Sequence, residues 1–212
     1  MNKTSRKQPE QRPDAILAAA FEAFSENGYA ETRIDDVAAR AGISKGLVYV
    51  YFKTKEELLK AVIRAVLVPR VDQLTAEIEQ SRLPASALVR GPVLAFMQEM
   101  ARSRMHVVLR LLLAEGPKHP DLTAFYHDEI IARGKRLMRH IIERGVAAGE
   151  FRPSALGDFP HLLVAPVVMG LIWKALFERH EPLDTDRMLQ CHIELVLKAI
   201  AATPAIAEGE AT

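Results

Sequence analysis

The chain has 212 residues, with 28 Lys and Arg balanced against 27 Asp and Glu for a formal net charge of +1. Hydrophobic residues make up 49% of it and glycine only 11 positions, which argues against a disordered or all-β chain and for well-packed helices. A single cysteine, Cys191, excludes an intramolecular disulfide framework and is expected as a buried thiol in a reducing cytosol.

Residues 1–12 carry Lys3, Arg6, Lys7 and Arg12 against Glu10, with nothing apolar to bury. They read as a flexible basic arm rather than a secretory leader: either a solvated tail, or an arm that reaches DNA phosphates or the minor groove. From Pro13 a helix is predicted, with Asp14 in its first turn and Ile16, Ala20, Phe21 and Phe24 on one face, stopped by Asn27-Gly28. Thr32 and Asp35 stand at capping-box spacing, and Ile34, Val37, Ala38 and Ala41 follow as the apolar face of a two-turn helix. Gly42 then occupies a helix-ending position that needs positive φ, Ile43 plugs the corner, and Ser44 caps a second short helix.

That second helix reads S-K-G-L-V-Y-V-Y-F from Ser44 to Phe52. Val48 and Phe52, four apart, can pack inward, which turns Lys45, Leu47, Tyr49 and Val50 outward. An aliphatic and an aromatic side chain displayed beside a lysine need something to meet. Arg40, Lys45, Lys53 and Lys55 fall in one window whose first acid is Glu56, a local positive patch in a chain of balanced charge. A helix, a glycine turn and an exposed second helix are the parts with which a helix-turn-helix enters the major groove. Thr54 and Glu57 form another capping box, opening a helix with Leu58, Leu59, Val62, Ile63 and Val66 that runs toward Pro69. Lys55, in its first turn, suits a phosphate.

The run D-D-V-A-A-R-A-G-I-S-K-G-L-V-Y-V-Y-F-K-T-K-E-E-L, within a segment from Ile16 to Val66, resembles the DNA-binding domain of the TetR family of bacterial transcriptional regulators. The resemblance implies an all-α fold. A three-helix DNA-binding domain would occupy 13–68, with its helix-turn-helix at about 33–52, followed by a larger helical regulatory and dimerisation domain at 69–202 and a disordered tail at 203–212. It also implies that Tyr49 contacts the DNA backbone, that Lys55 binds a phosphate, and that Lys45, Gly46, Leu47 and Val50 meet groove edges, Gly46 permitting close approach. Thr32 and Ser44 are open to two roles, cap or phosphate ligand. Arg33 stands where the family commonly has Thr or Ser and could strengthen phosphate contact. Asp35 stands where a basic residue is frequent and is expected to face away from DNA.

Beyond Pro69 the pattern stays helical, with helices predicted at about 70–80, 85–103, 104–115, 121–148, 156–179 and 184–202 between Pro and Gly signals. Arg104 to Glu115 is apolar on most of its circumference and is expected to be buried on nearly all sides. Phe159 to Trp173 is too short to span a bilayer and is expected as a buried helix. The last two helices are the candidates for a dimer interface, through Leu162, Val167 and Leu171 on one and Leu189, Ile193, Val196 and Leu197 on the other. In the family such helices form a four-helix bundle with a second subunit, so a C2 dimer would present two recognition helices to a two-fold operator. An effector pocket is implied by the resemblance; Phe96, Met97, Met100, Met105, Phe125, Tyr126, Met169 and Trp173 could line an adaptable apolar cavity, ordinary core being the alternative.

The seven histidines raise a catalytic or metal reading, at His119, Asp121, His127 and Asp128 and again at Cys191, His192 and Glu194. No H-E-x-x-H, C-x-x-C, G-x-S-x-G or phosphate-binding glycine loop accompanies them, so neither an enzyme nor a metal or cofactor is expected. The expected function is that of a cytoplasmic, homodimeric repressor of a pseudo-palindromic double-stranded DNA operator, released by a small apolar or amphipathic effector and without a membrane role. The competing reading is an effector-independent architectural or constitutive DNA-binding protein.

Overall fold

The computed structural model describes residues 12–202. The basic arm, apart from Arg12, and the tail at 203–212 lie outside the described residues. Regular structure among them is helical: α1 (Arg12–Glu31), α2 (Ile34–Ala41), α3 (Lys45–Tyr51), α4 (Lys55–Gln80), α5 (Ala85–Leu88), α6 (Leu94–Arg102), α7 (Met105–Glu115), α8 (Pro120–Tyr126), α9 (Ala132–Ala147), α10 (His161–Leu176) and α11 (Thr185–Ile200). Single π-helical turns at Val89–Val93 and His127–Ile131 join α5 to α6 and α8 to α9. An isolated antiparallel bridge links Phe151 and Ala201.

The chain forms two compact units, 12–71 with 107–131 and 72–106 with 132–202. The boundary expected at 68/69 is therefore not where the compact units divide, because a later segment, 107–131, returns to the unit that holds the helix-turn-helix.

In the first unit, α1 buries Ile16, Ala20 and Phe24 along one stripe, as its periodicity predicts. Its regular run breaks at Gly28, whose φ of 77° only glycine adopts freely, and one further turn ends at Glu31. α2 buries Ile34, Val37 and Ala38, and α3 is anchored by Val48, which is fully buried. Thr32 does not cap α2. Its hydroxyl lies 2.6 Å from the Gly28 carbonyl and 3.1 Å from that of Ala23. The cap moves one residue on, with the Arg33 amide donating to Asp36 Oδ2 at 3.0 Å. At α4 the hydroxyl half of the second capping box forms, Thr54 accepting from the Glu57 amide at 3.0 Å, while the Glu57 carboxylate reaches one residue further back than the box requires and accepts from the Lys53 amide at 2.7 Å.

α4 passes through Pro69 rather than ending there. Its buried stripe continues across the proline, from Ile63 and Leu67 through Val71, Leu74 and Ile78, each of which stabilises by about 1.5–3 kcal/mol. Two such residues beyond the proline offset its cost of about 3 kcal/mol. The Arg70 guanidinium donates to the Val66 carbonyl beside it. α7 also departs from expectation: Val107, Val108 and Leu111 are buried, but Leu113 is 64% exposed, so one face of the helix meets solvent.

In the second unit the core is built from Leu88, Val93, Met97, Ile141, Leu163, Leu189, Ile193 and Leu197. α5 lacks a local side-chain cap after Pro84. Glu150 supplies one from a distance in sequence, accepting from the amides of Ala85 at 2.8 Å and Ser86 at 3.0 Å and from the Ser86 hydroxyl at 2.7 Å. Pro92 falls inside the π-helical turn, where the wider spacing accommodates its missing N–H. α10 is not the buried helix expected, since Leu162, Val164, Val168 and Met169 are exposed along one side. Cys191 on α11 is likewise exposed, not a core thiol.

Candidate nucleic-acid interface

The turn between α2 and α3 is fixed by the two residues its sequence singles out. Gly42 takes φ 68° and ψ 36°, and the amides of Gly42 and Ile43 donate to the carbonyls of Ala39 and Ala38 at 3.2 and 3.0 Å, closing the end of α2. Ser44 Oγ accepts from the Leu47 amide at 3.3 Å and starts α3. With Val48 held inward, Tyr49 is 40% and Val50 63% exposed, Lys45 and Gly46 are open, and Leu47 is half-buried. The cap uses a Ser44 lone pair and leaves its O–H to donate elsewhere. Arg33 is exposed just before α2.

The basic patch is more nearly neutral in three dimensions than in sequence, because acids from outside the window reach it. Arg40 makes a bidentate contact with Glu26, at 2.9 and 2.5 Å. Lys45 Nζ lies 2.8 Å from Asp35 Oδ2, and that hydrogen bond, with the carboxylate charge, raises the Lys45 pKa above its ordinary value. Asp35 thus shares the surface that displays Lys45, contrary to the expectation that it turns away. Lys53 Nζ donates to the carbonyls of Tyr49 and Val50 at 3.2 and 3.4 Å, capping the end of α3.

Lys55 has a different task from the phosphate ligand expected. Its ammonium donates to the carbonyls of Tyr29, Ala30 and Thr32 at 2.8, 3.1 and 3.1 Å and sits 4.4 Å from the Tyr29 ring centroid. All three N–H bonds are taken by the end of α1. Thr32 is corrected in the same way: it is 1% exposed with its hydroxyl turned into α1, so its side chain cannot meet a phosphate.

Nearby, His119 stands between two carboxylates, its Nδ1 3.2 Å from Glu56 and its Nε2 3.8 Å from the buried Glu115, with its ring in a T-shaped contact with Tyr29, centroids 5.5 Å apart. The hydrogen bond and charge of Lys60, and after them those of His119, hold the Glu56 carboxyl below its ordinary pKa, although partial burial opposes this. Glu56 with Lys60 and Glu115 with His119 stand four residues apart, a spacing visible in the sequence, but the two pairs, 63 residues apart at Glu56 and His119, meet only through the fold.

The proposed effector residues do not fall in one unit. Met97, Met100 and Met105 are buried and Phe96 half-buried in the second. Met169 is 44% exposed, and Trp173 packs at a tilt against Phe177, ring centroids 5.1 Å apart, while its Nε1 donates to the Glu181 carbonyl at 2.6 Å, which engages it in an end-of-helix turn. Phe125 and Tyr126 belong to the first unit, where the Arg64 guanidinium lies 4.8 Å from the Phe125 ring and burial raises the Tyr126 pKa. Of the residues expected at a dimer interface, Val167, Leu171, Leu189, Ile193 and Leu197 are buried within the chain and Val196 is half-buried. Only Leu162 is exposed; it is joined as an exposed apolar residue by Val164 and Val168 on α10 and by Leu195 on α11.

The fold and the exposed short helix define an all-helical helix-turn-helix protein with a second helical unit. Its first helices match the family model for bacterial regulatory proteins of the tetR family over residues 16–62, and residues 87–191 match a tetracyclin repressor-like C-terminal domain. The chain belongs to the TetR family. It is similar to the HTH-type transcriptional repressor KstR2 of Mycolicibacterium smegmatis, 28% identical over 91% of this chain and 92% of that protein. The HTH-type transcriptional regulator HbdR of an Aromatoleum strain is 35% identical over 71% of this chain and 64% of its own length. Among solved structures, the transcriptional regulator FadR of Bacillus subtilis in complex with stearoyl-CoA aligns with a TM-score of 0.73 at 19% identity, covering 88% of this chain and 98% of FadR. Among the described residues no helix is long and apolar enough to cross a membrane.

Proposed function

We propose that the chain is a cytoplasmic, ligand-responsive repressor that binds a pseudo-palindromic DNA operator as a homodimer and leaves it when a small apolar or amphipathic effector binds. The observation that carries this reading is α3, held rigidly by Gly42, Ser44 and Val48 while Lys45, Tyr49 and Val50 point to solvent. Arg33, Ser44 and Tyr49 are the phosphate-contacting set, and Lys45, Gly46, Leu47 and Val50 the groove-facing set. Homodimerisation is supported by the large apolar side chains that α10 and α11 leave exposed, Leu162, Val164, Val168, Met169 and Leu195. The repressor role is supported by a relative named as a repressor, and the amphipathic effector class by a structural neighbour bound to stearoyl-CoA, an acyl thioester.

A ligand releases DNA only by favouring a state that binds DNA less well, so DNA must weaken ligand binding by the same factor. The test is selection of operators from random duplex DNA, followed by titration of the complex with acyl-CoA thioesters. Recovery of a two-fold motif, its release by a thioester, and reciprocal weakening of thioester binding by the operator are expected. A protein that enriches no motif refutes the DNA-binding reading; one that enriches a motif but is released by no thioester refutes this effector class.

A further inference from the structure

We infer that Asp35 is a specificity-determining residue of the proposed DNA interface, forming with Lys45 a paired acceptor and donor that selects a G·C base pair. The inference rests on the DNA-binding reading above. Asp35 lies in the first turn of α2 and Lys45 begins α3; the Gly42 turn brings them together, Oδ2 to Nζ, at 2.8 Å. Both side chains are more than half exposed, at 60% and 51%, so the pair opens to solvent rather than into the core. The other charged groups of α2 are engaged elsewhere: Asp36 accepts from the Arg33 amide, and Arg40 is held by Glu26.

A lone carboxylate on a surface that meets a polyanion would be repelled, and pairing with Lys45 removes that obstacle. The pair is not saturated. The ammonium retains two N–H donors and the carboxylate retains Oδ1 as an acceptor, so a donor and an acceptor stand side by side about one hydrogen-bond length apart. In the major groove a G·C pair offers the complementary arrangement: guanine O6 and N7 accept, and the adjacent cytosine N4 donates. The ammonium meets the guanine edge and the carboxylate takes a hydrogen from cytosine N4. Thymine O4 in the cytosine position would set two acceptors against each other, and that repulsion does the rejecting.

The experiment is parallel selection from one random double-stranded DNA pool by the full-length wild type, Asp35→Asn, Asp35→Ala and Lys45→Arg. The wild type is expected to enrich an invariant G·C position in each half-site. Asp35→Ala should lower the preference there by roughly 10-fold while the other positions keep theirs, consistent with the loss of one base-edge contact. Its binding to random DNA should rise and depend on salt more steeply by about one unit, because Lys45 is freed for a phosphate. Lys45→Arg, which keeps a donor beside the carboxylate, should retain the position. Asp35→Asn preserves the shape of the helix start and should lose the preference while unfolding at the wild-type temperature, which separates base selection from a merely structural role. Enrichment of the wild-type motif by both Asp35 variants, with affinity shifted equally for all sequences, would overturn the inference and leave the DNA-binding reading intact. Failure of the wild type itself to enrich any motif would overturn both.

Discussion

Replacing Lys55 by Met keeps the aliphatic stem over Tyr29 and removes only the charge and its three donors. Three carbonyls at the end of α1, those of Tyr29, Ala30 and Thr32, then lose a partner at 2.8–3.1 Å, and the Tyr29 ring loses a cation at 4.4 Å. Hydrogen bonds to charged groups contribute about 1.5–3 kcal/mol and a partly exposed cation–π contact about 0.5–1 kcal/mol. Water can reach the exposed Ala30 end, so a net loss of about 2 kcal/mol is expected. In a chain of this size that lowers the unfolding midpoint by about 4–8 °C. Thermal unfolding followed by circular dichroism reads this directly, and DNA binding at several salt concentrations reads the alternative. A phosphate ligand would, when removed, flatten the salt dependence by about one unit. An unchanged midpoint together with such a flattening would refute the capping role and restore the phosphate contact.

Glu150→Gln tests the remote cap of α5. Burial alone would raise the Glu150 pKa, but donors from Ser86 and Ala85 and the Arg144 charge hold it below the ordinary value. The carboxylate's contribution is therefore fully present above its unfolded pKa of about 4.3 and is lost as pH falls through the lower folded value. The variant should be less stable than wild type by about 2 kcal/mol at neutral pH, and urea midpoints of the two should converge in acid; a gap independent of pH would exclude the charge as its source. Gly145→Ala places a Cβ against the buried Phe151 ring well inside contact distance, so it should cost about 1–3 kcal/mol, recovered in part by Phe151→Leu; an unaltered urea midpoint would show that the ring moves freely. Val168→Glu charges the open apolar side of α10 without entering the core. Sedimentation should show a monomer, and operator affinity should fall at least about 100-fold as the second recognition helix is lost; a persistent dimer would place the interface elsewhere.

The helix-turn-helix is legible in the sequence because its determinants are local. Gly42 and Ser44 act within a few residues of themselves, and Thr54 with Glu57 does the same at the start of α4. What was not legible depends on contacts between distant positions. Asp35 with Lys45, Glu26 with Arg40, and Lys55 with the end of α1 are separated by 10, 14 and 23–26 residues. Counting charges along the chain therefore finds a patch that folding partly neutralises. Thr32 fails for a related reason, since its hydroxyl can turn forward to α2 or back into α1 and only packing decides. On α10 and α11 apolar residues occur on most sides, so periodicity predicts helices but cannot say which apolar side closes the chain's own core and which stays open. Pro69 misleads because a proline's cost is local, whereas the buried stripe that offsets it continues through Val71, Leu74 and Ile78.

The Glu150 cap also bears on the order in which the second unit forms. α5 runs on through its π-helical turn into α6, but the carboxylate that caps its first amides arrives 64–65 residues later in the chain. Closing a loop of that length costs entropy before the cap returns anything, so α5 gains nothing from Glu150 until the end of α9 is in place. The second unit is therefore expected to fold as a single cooperative step rather than helix by helix, and a growing chain released before residue 150 would leave α5 without its cap.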